Sequence, residues 1–222
     1  MSTPSQISAL RGDVHAVVIG DDAVFLDVTR DRYACVPSAA RWLSLDAAQR
    51  VLGVADPAFA EELRQADLIA DHATPRDLPD PIAVATISAV GVDFAPPGWR
   101  DGVRGLRATL DLAQAYHRRP LAKLVAWAAE GATPGGNDKP DARMLDLVES
   151  FHRWAPFAPA PGKCLLRSFM LLRLLRRHGH DARWVFGVRT WPFRAHCWLQ
   201  RGDTVLDDDV EALVALTPIM VI

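Results

Sequence analysis

The sequence predicts an α+β chain built from two units, and three observations carry that expectation. The first 70 residues place short β-branched runs between turn signals. A proline-rich break follows at residues 71–81. Beyond it the apolar spacing becomes helical, ending in a long helix that feeds a meander of short strands.

Taken in order, His15–Ile19 is a β-branched run that stops at Gly20-Asp21-Asp22, a turn signal. Ala23–Val28 alternates, with Val24, Leu26 and Val28 on one side, and Arg30-Asp31 turns the chain into a third strand over Arg32–Val36. Pro37-Ser38 reads as a helix start, and Ala39–Leu45 offers apolar residues at helical spacing. Asp56 suits an N-cap and Pro57 the first helical position, with Phe59, Leu63 and Ala66 as the buried stripe. Three prolines and no hydrophobic period mark 71–81 as a linker between a first unit, residues 1–75, and a second, residues 82–222.

In the second unit Ile82–Val90, Arg104–Tyr116, Leu121–Ala129 and Ala142–Trp154 are predicted helices. Gly131–Pro140 and Pro156–Pro161 read as loops. Cys164–His178 is the densest helical run and meets a C-capping Gly179. Strands are expected at Ala182–Arg189, Ala195–Gln200 and Thr204–Asp207.

Charge separates the two units. Residues 1–80 hold 7 arginines against 13 acidic residues, while the remainder holds 18 basic against 14 acidic, within a net charge of −2. Neither part concentrates basic side chains on one face, so a nucleic-acid partner is not expected. The longest run free of charge, Pro81–Val92, is too short to span a bilayer, so no membrane partner is expected. Met1–Leu10 lacks the basic-then-apolar pattern of a secretory signal, which makes the cytoplasm the expected location. Cys35, Cys164 and Cys197 form no C-x-x-C pair, suggesting neither a disulfide framework nor a zinc site. No metal and no cofactor are expected.

The useful question is then whether one cysteine is a nucleophile. Cys164 opens a long helix, where unpaired amide N–H groups and the positive end of the helix dipole favour thiolate. His196 lies 32 residues on, in a predicted strand, with Trp198 and Gln200 on its face and Cys197 and Leu199 on the other. The run Asp207-Asp208-Asp209 follows the next strand, where one carboxylate could hold the imidazole as the third member of a triad. A helix-start cysteine, a strand histidine and a strand-end aspartate occur in this order in papain-like and transglutaminase-like folds. A packed cysteine, a structural histidine and a solvated acidic turn are the plainer alternatives.

Particular stretches narrow this reading. Cys164-Leu-Leu-Arg167-Ser168, Gly179-His-Asp-Ala-Arg183, Gly187-Val-Arg189, Pro192-Phe193-Arg-Ala-His196-Cys-Trp198 and Leu206-Asp-Asp208, with Thr217-Pro218-Ile219, resemble the leader peptidases of lasso-peptide biosynthesis. These are transglutaminase-like cysteine peptidases, and the likeness covers residues 82–222. It implies Cys164, His196 and Asp208 as catalytic residues, with Asp207 a competitor for the third place. Gln200 and Asp207 depart from the family's frequent Glu or Asn without touching the triad. Implied partners are a lasso precursor peptide, through its leader, and a separate ATP-dependent lactam synthetase resembling asparagine synthetase. A pocket near Trp191, Phe193 and Trp198 is the expected seat for the threonine after which the family cleaves.

Residues 1–75 have a likeness of their own. Asp-Ala-Val-Phe25-Leu-Asp-Val and Arg30-Asp-Arg-Tyr33 resemble the precursor-recognition element related to the pyrroloquinoline-quinone biosynthesis chaperone. That likeness implies a small winged-helix-like domain of three strands and three helices, fused here to the peptidase. It also implies a leader groove along Arg32–Val36 and the third helix, involving Tyr33, Cys35, Phe59 and Leu63, where a peptide adds as an extra strand. The competing functions are a leader-binding scaffold without catalysis and an acyl transferase acting on an amine.

Overall fold

A computed structural model describes residues 6–46, 51–70, 81–91, 98–99, 102–103, 120–132, 138–157 and 164–222. The N-terminal part opens with β1 (Gln6–Leu10), β2 (Val14–Ile19), β3 (Asp22–Asp27) and β4 (Arg32–Val36). A single 3-10 turn, Ala39–Arg41, leads into β5 (Leu43–Asp46) and β6 (Val51–Val54). Helix α1 (Pro57–Gln65) and the short β7 (Ile69–Ala70) complete it.

These strands form two sheets, one ordered β5-β6-β1-β7 and one ordered β2-β3-β4. Gly20, at φ 58°, makes the tight hairpin between β2 and β3, where Ile19 sits opposite Asp22. The α1 start follows its local chemistry: Asp56 caps it by accepting from the Ala58 N–H at 3.0 Å, and Pro57 takes the position whose N–H has no helical partner. Asp27, buried, is held by Arg11 at 3.0 Å and Arg30 at 2.7 Å, tying the β1–β2 turn to the β3–β4 turn.

The second half carries α2 (Leu121–Glu130), α3 (Ala142–Trp154) and α4 (Cys164–Arg177). Its sheet holds β8 (Ile87–Ser88), β9 (Arg183–Arg189), β10 (Arg194–Arg201), β11 (Thr204–Val205) and β12 (Thr217–Val221), with the short α5 (Val210–Leu213) before the last strand. The order is β12-β9-β10-β11-β8, antiparallel except for the parallel pair β11–β8. α4 packs its apolar stripe, including Phe169, Leu172 and Leu175, against the sheet face that presents Trp184, Phe186, Cys197 and Leu199. It ends as expected at Gly179, φ 80°, where Gly179 N–H bonds Arg176 O and His180 N–H bonds Leu175 O.

The two halves share a core through β3. Alternation sends Ala23 and Phe25 into the N-terminal core with Leu52 and Leu63. It sends Val24, Leu26 and Val28 into the core of α4 and its sheet. β3 is buried on both faces, and the partly buried Val17, Ile19, Tyr33 and Cys35 of its neighbours join the larger core. At the rim, Trp191 in the β9–β10 turn donates its indole N–H to Asp22 at 2.6 Å.

Four expectations change. Ala39–Leu45 is not a helix: Ser38 sits in the left-handed region at φ 56°, one 3-10 turn closes from Trp42 N–H to Ala39 O, and Leu43 onward pairs with β6. Strand pairing there buries Leu43 and Leu52, and it outweighs a weak local preference for helix. Residues 6–46 and 51–70 accordingly hold seven strands and one α-helix where three of each were expected. Ile82–Val90 is extended, because the amides of Thr86 and Ile87 bond Asp203 O and that of Ala89 bonds Val205 O. Thr204–Asp207 shortens to two residues, since Asp207 meets β10 with its carboxylate and not its backbone. The expected helix over 104–116 and nearly all of the expected linker over 71–81 lie outside the described residues.

Candidate active site

β10 is paired fully along one edge only. β9 accompanies it from Arg194 to Gln200, whereas β11 offers partners only to Gln200 and Arg201. The stretch of edge without a strand partner is bonded by other means. The Leu199 amide donates to Asp207 Oδ1 at 2.7 Å, and its carbonyl accepts from the Leu206 N–H at 2.9 Å. The Cys197 carbonyl faces Ser168 Oγ at 3.4 Å, and the Cys197 N–H bonds the sulfur of Cys164. The start of α4 is thereby seated against the strand that carries His196.

Three side chains meet at this edge. His196 Nε2 lies 2.5 Å from Asp208 Oδ2, and the same ring bonds the Cys164 sulfur. With Nε2 engaged by the carboxylate, Nδ1 is the nitrogen left for the thiol. A hydrogen bond from the Cys197 thiol pulls the Cys164 pKa well below that of an ordinary cysteine. The His196 bond and the Cys197 N–H act in the same direction, against the effect of burial. Cys197 moves the opposite way: fully buried beside a thiolate, it keeps its proton. His196 is pushed up to about 9 by its bond to Asp208 and then by Cys164. Both shifts favour the thiolate–imidazolium form of the pair.

Burial opposes ionisation of Asp208, but its bond to His196, the Asp209 N–H at 2.9 Å and the charge of Arg167 hold it below the usual carboxylate range. Arg167 Nη2 donates to Asp208 Oδ2 at 2.8 Å. Asp207 points the other way, into the protein, where Ser168 Oγ donates to its Oδ2 at 2.5 Å. Burial raises its pKa to about 6, although Ser168 and the Leu199 N–H both favour the charged form. Beneath the site the buried His152 donates from Nε2 to Leu206 O at 2.8 Å, and burial lowers its pKa.

The aromatic residues divide. Phe193 is 45% exposed and makes an edge contact with Tyr33, ring centroids 5.8 Å apart. Trp191 is 73% exposed, but Trp198 is 4% exposed, its ring lying over Gly187 in a separate core with Val185 and Leu216. Burial raises the Tyr33 pKa first, and Tyr33 lies near enough to Cys197, Asp31 and Cys164 that negative charge on any of them would raise it further. Cys35 packs against the larger core, and Phe59 and Leu63 pack in the N-terminal one. Sequence reasoning gave Arg167 and Ser168 no role, although they stand three and four residues after Cys164, one helical turn away on its side of α4. Polar residues at that spacing on an otherwise apolar helix were the available signal.

A family model described as the transglutaminase-like superfamily matches residues 106–221. The chain belongs to the transglutaminase-like superfamily. Over 45 residues it is 44% identical to the microcin J25-processing protein McjB of Escherichia coli. That stretch covers 20% of this chain and 22% of the relative. No solved structure matches the chain. Cys164, His196 and Asp208 all fall inside the segment matched to the superfamily. Among the described residues no helix is long and apolar enough to cross a membrane.

Proposed function

We propose that this transglutaminase-like protein is a cysteine peptidase that binds the leader of a ribosomally made lasso precursor and cuts it from the core. The observation that carries the reading is the continuous contact from Cys164 through His196 to Asp208 at the head of a helix. The likeness to a microcin-processing protein supplies the substrate class.

In this mechanism the Cys164 thiolate attacks the carbonyl carbon of the scissile bond, forming a tetrahedral oxyanion. The Cys164 N–H, at the first position of α4, where an amide has no intrahelical partner, would donate to that oxyanion. Collapse breaks the C–N bond as His196 gives its proton to the leaving amine. Water, deprotonated by the now neutral imidazole, then hydrolyses the thioester and frees the leader carboxylate. Asp208 holds the ring so that Nδ1 stays directed at sulfur. The freed core amine would pass to a lactam synthetase resembling asparagine synthetase. The N-terminal unit would act as the precursor-recognition element, with the edge of β4 receiving the leader as an added strand.

Incubating the purified protein with its precursor tests this, with products read by mass spectrometry. A free leader carboxylate, lost in Cys164→Ala, is the expected result. Undiminished cleavage by Cys164→Ala would favour a binding scaffold, and an isopeptide adduct would favour acyl transfer.

A further inference from the structure

Asp207 is a fully buried carboxylate that the reaction does not use, and its two oxygens are bonded to different elements. Oδ2 accepts from Ser168 on α4 at 2.5 Å, and Oδ1 accepts from the Leu199 amide on β10 at 2.7 Å. Ser168 follows Cys164 by one turn of helix, and Leu199 follows His196 by three residues of strand. Asp207 is itself the covalent neighbour of Asp208. One carboxylate therefore ties together the helix, the strand and the loop that carry the three reacting side chains.

Burying a charge at this point is costly, and an apolar residue of the same shape would avoid that cost. What an apolar residue could not do is bond two elements in fixed register. The edge of β10 needs this, because β11 pairs with only two of its residues. Without Asp207 the Leu199 N–H would be buried with no acceptor.

We propose that Asp207 and Ser168 are positioning residues, a latch that sets the Cys164 helix against the His196 strand. The proposal rests on the peptidase reading above, since it explains how that site is held. It predicts that breaking the latch displaces Cys164 from His196 and from the Cys197 N–H. The loss then falls on turnover and on thiolate formation, not on capture of the peptide.

The test uses the full chain with Ser168→Ala, Asp207→Ala and Asp207→Asn. The amide of Asp207→Asn can still accept from Leu199 and donate to the Ser168 hydroxyl, so it keeps both ties. Three readouts apply: the Cys164 thiolate titrated by its ultraviolet absorbance, kcat and KM on the precursor, and the melting temperature. Ser168→Ala and Asp207→Ala are expected to raise the thiolate pKa by about one unit. They should lower kcat about tenfold while KM changes by less than about twofold. Asp207→Asn should keep most of both properties. Combining Ser168→Ala with Asp207→Ala should cost no more than the worse single change, as expected of one unit.

A Ser168→Ala protein with unaltered thiolate titration and kcat would overturn the latch, as would equal losses in Asp207→Asn and Asp207→Ala. A lowered melting temperature with unchanged kcat and titration would overturn it too, leaving only a role in stability. If the parent itself fails to cleave, the peptidase reading falls, while the thiolate titration still decides the latch.

Discussion

Arg167 and His196 bind the same oxygen of Asp208, Arg167 Nη2 at 2.8 Å and His196 Nε2 at 2.5 Å. The second oxygen accepts the Asp209 N–H. Asp208 is thus fixed from three directions, and its lone bond to the imidazole is aimed by the guanidinium beside it. Arg167→Ala removes one of these restraints on a partly buried carboxylate. Turnover is expected to fall about tenfold with KM nearly unchanged, as for loss of one charge-assisted hydrogen bond. Arg167→Lys should recover only part of this, because an ammonium lacks the planar fork of donors. Steady-state kinetics on the precursor checks both.

The pH dependence follows from the ion pair. In the proposed peptidase the reactive state is thiolate with imidazolium, present above the depressed pKa of Cys164 and below that of His196, about 9. kcat/KM should therefore form a broad plateau, with its alkaline limb near pH 9. Asp208 is the first cause of the raised His196 value, so Asp208→Asn should move that limb down toward the ordinary histidine range. An alkaline limb unmoved by Asp208→Asn would remove Asp208 from the role assigned to it.

Cys164 and His196 were legible as candidates because each stands at an element boundary that the sequence marks. A dense apolar helix begins at Cys164, and a proline-containing turn precedes the strand of His196. The distinction between Asp207 and Asp208 rested on the family resemblance alone, because the two are adjacent and chemically identical. Only the fold decides which carboxylate turns inward to Ser168 and which meets the imidazole. The shared core was hidden for a related reason. Val24, Leu26 and Val28 announce a buried face, but alternation cannot say which element covers it. The missed strand at Leu43–Asp46 depends on a partner, β6, whose pairing overrides local preference.

Gly187 shows how tightly the histidine strand is held. It lies opposite His196 in the β9–β10 register. A Cβ at this position would stand 2.7 Å and 2.8 Å from two carbons of the buried Trp198 ring, and 3.3 Å from Leu216. Trp198 has no room to withdraw, since its indole N–H donates to Gln200 at 3.1 Å and its ring is packed in. Gly187→Ala should therefore destabilise the fold by about 1–3 kcal/mol through overpacking. Urea unfolding measures this, and an unchanged midpoint would show that β9 can yield.

Tyr33 and Phe193 join the N-terminal sheet to the turn that precedes His196. Phe193 is half exposed, while Tyr33 reaches toward the sulfur pair from β4. A leader added along β4 would pass this contact on its way to Cys164. Phe193→Ala should then weaken the precursor's hold more than the chemistry. KM is expected to rise about tenfold, in line with the loss of one aromatic contact and its buried area, with kcat within about twofold. The Cys164 thiolate should titrate as in the parent, because its lowered pKa comes from Cys197 and His196 and not from Phe193. A fall in kcat at constant KM would instead assign the Tyr33–Phe193 contact to holding the β9–β10 turn, with no part in guiding the peptide.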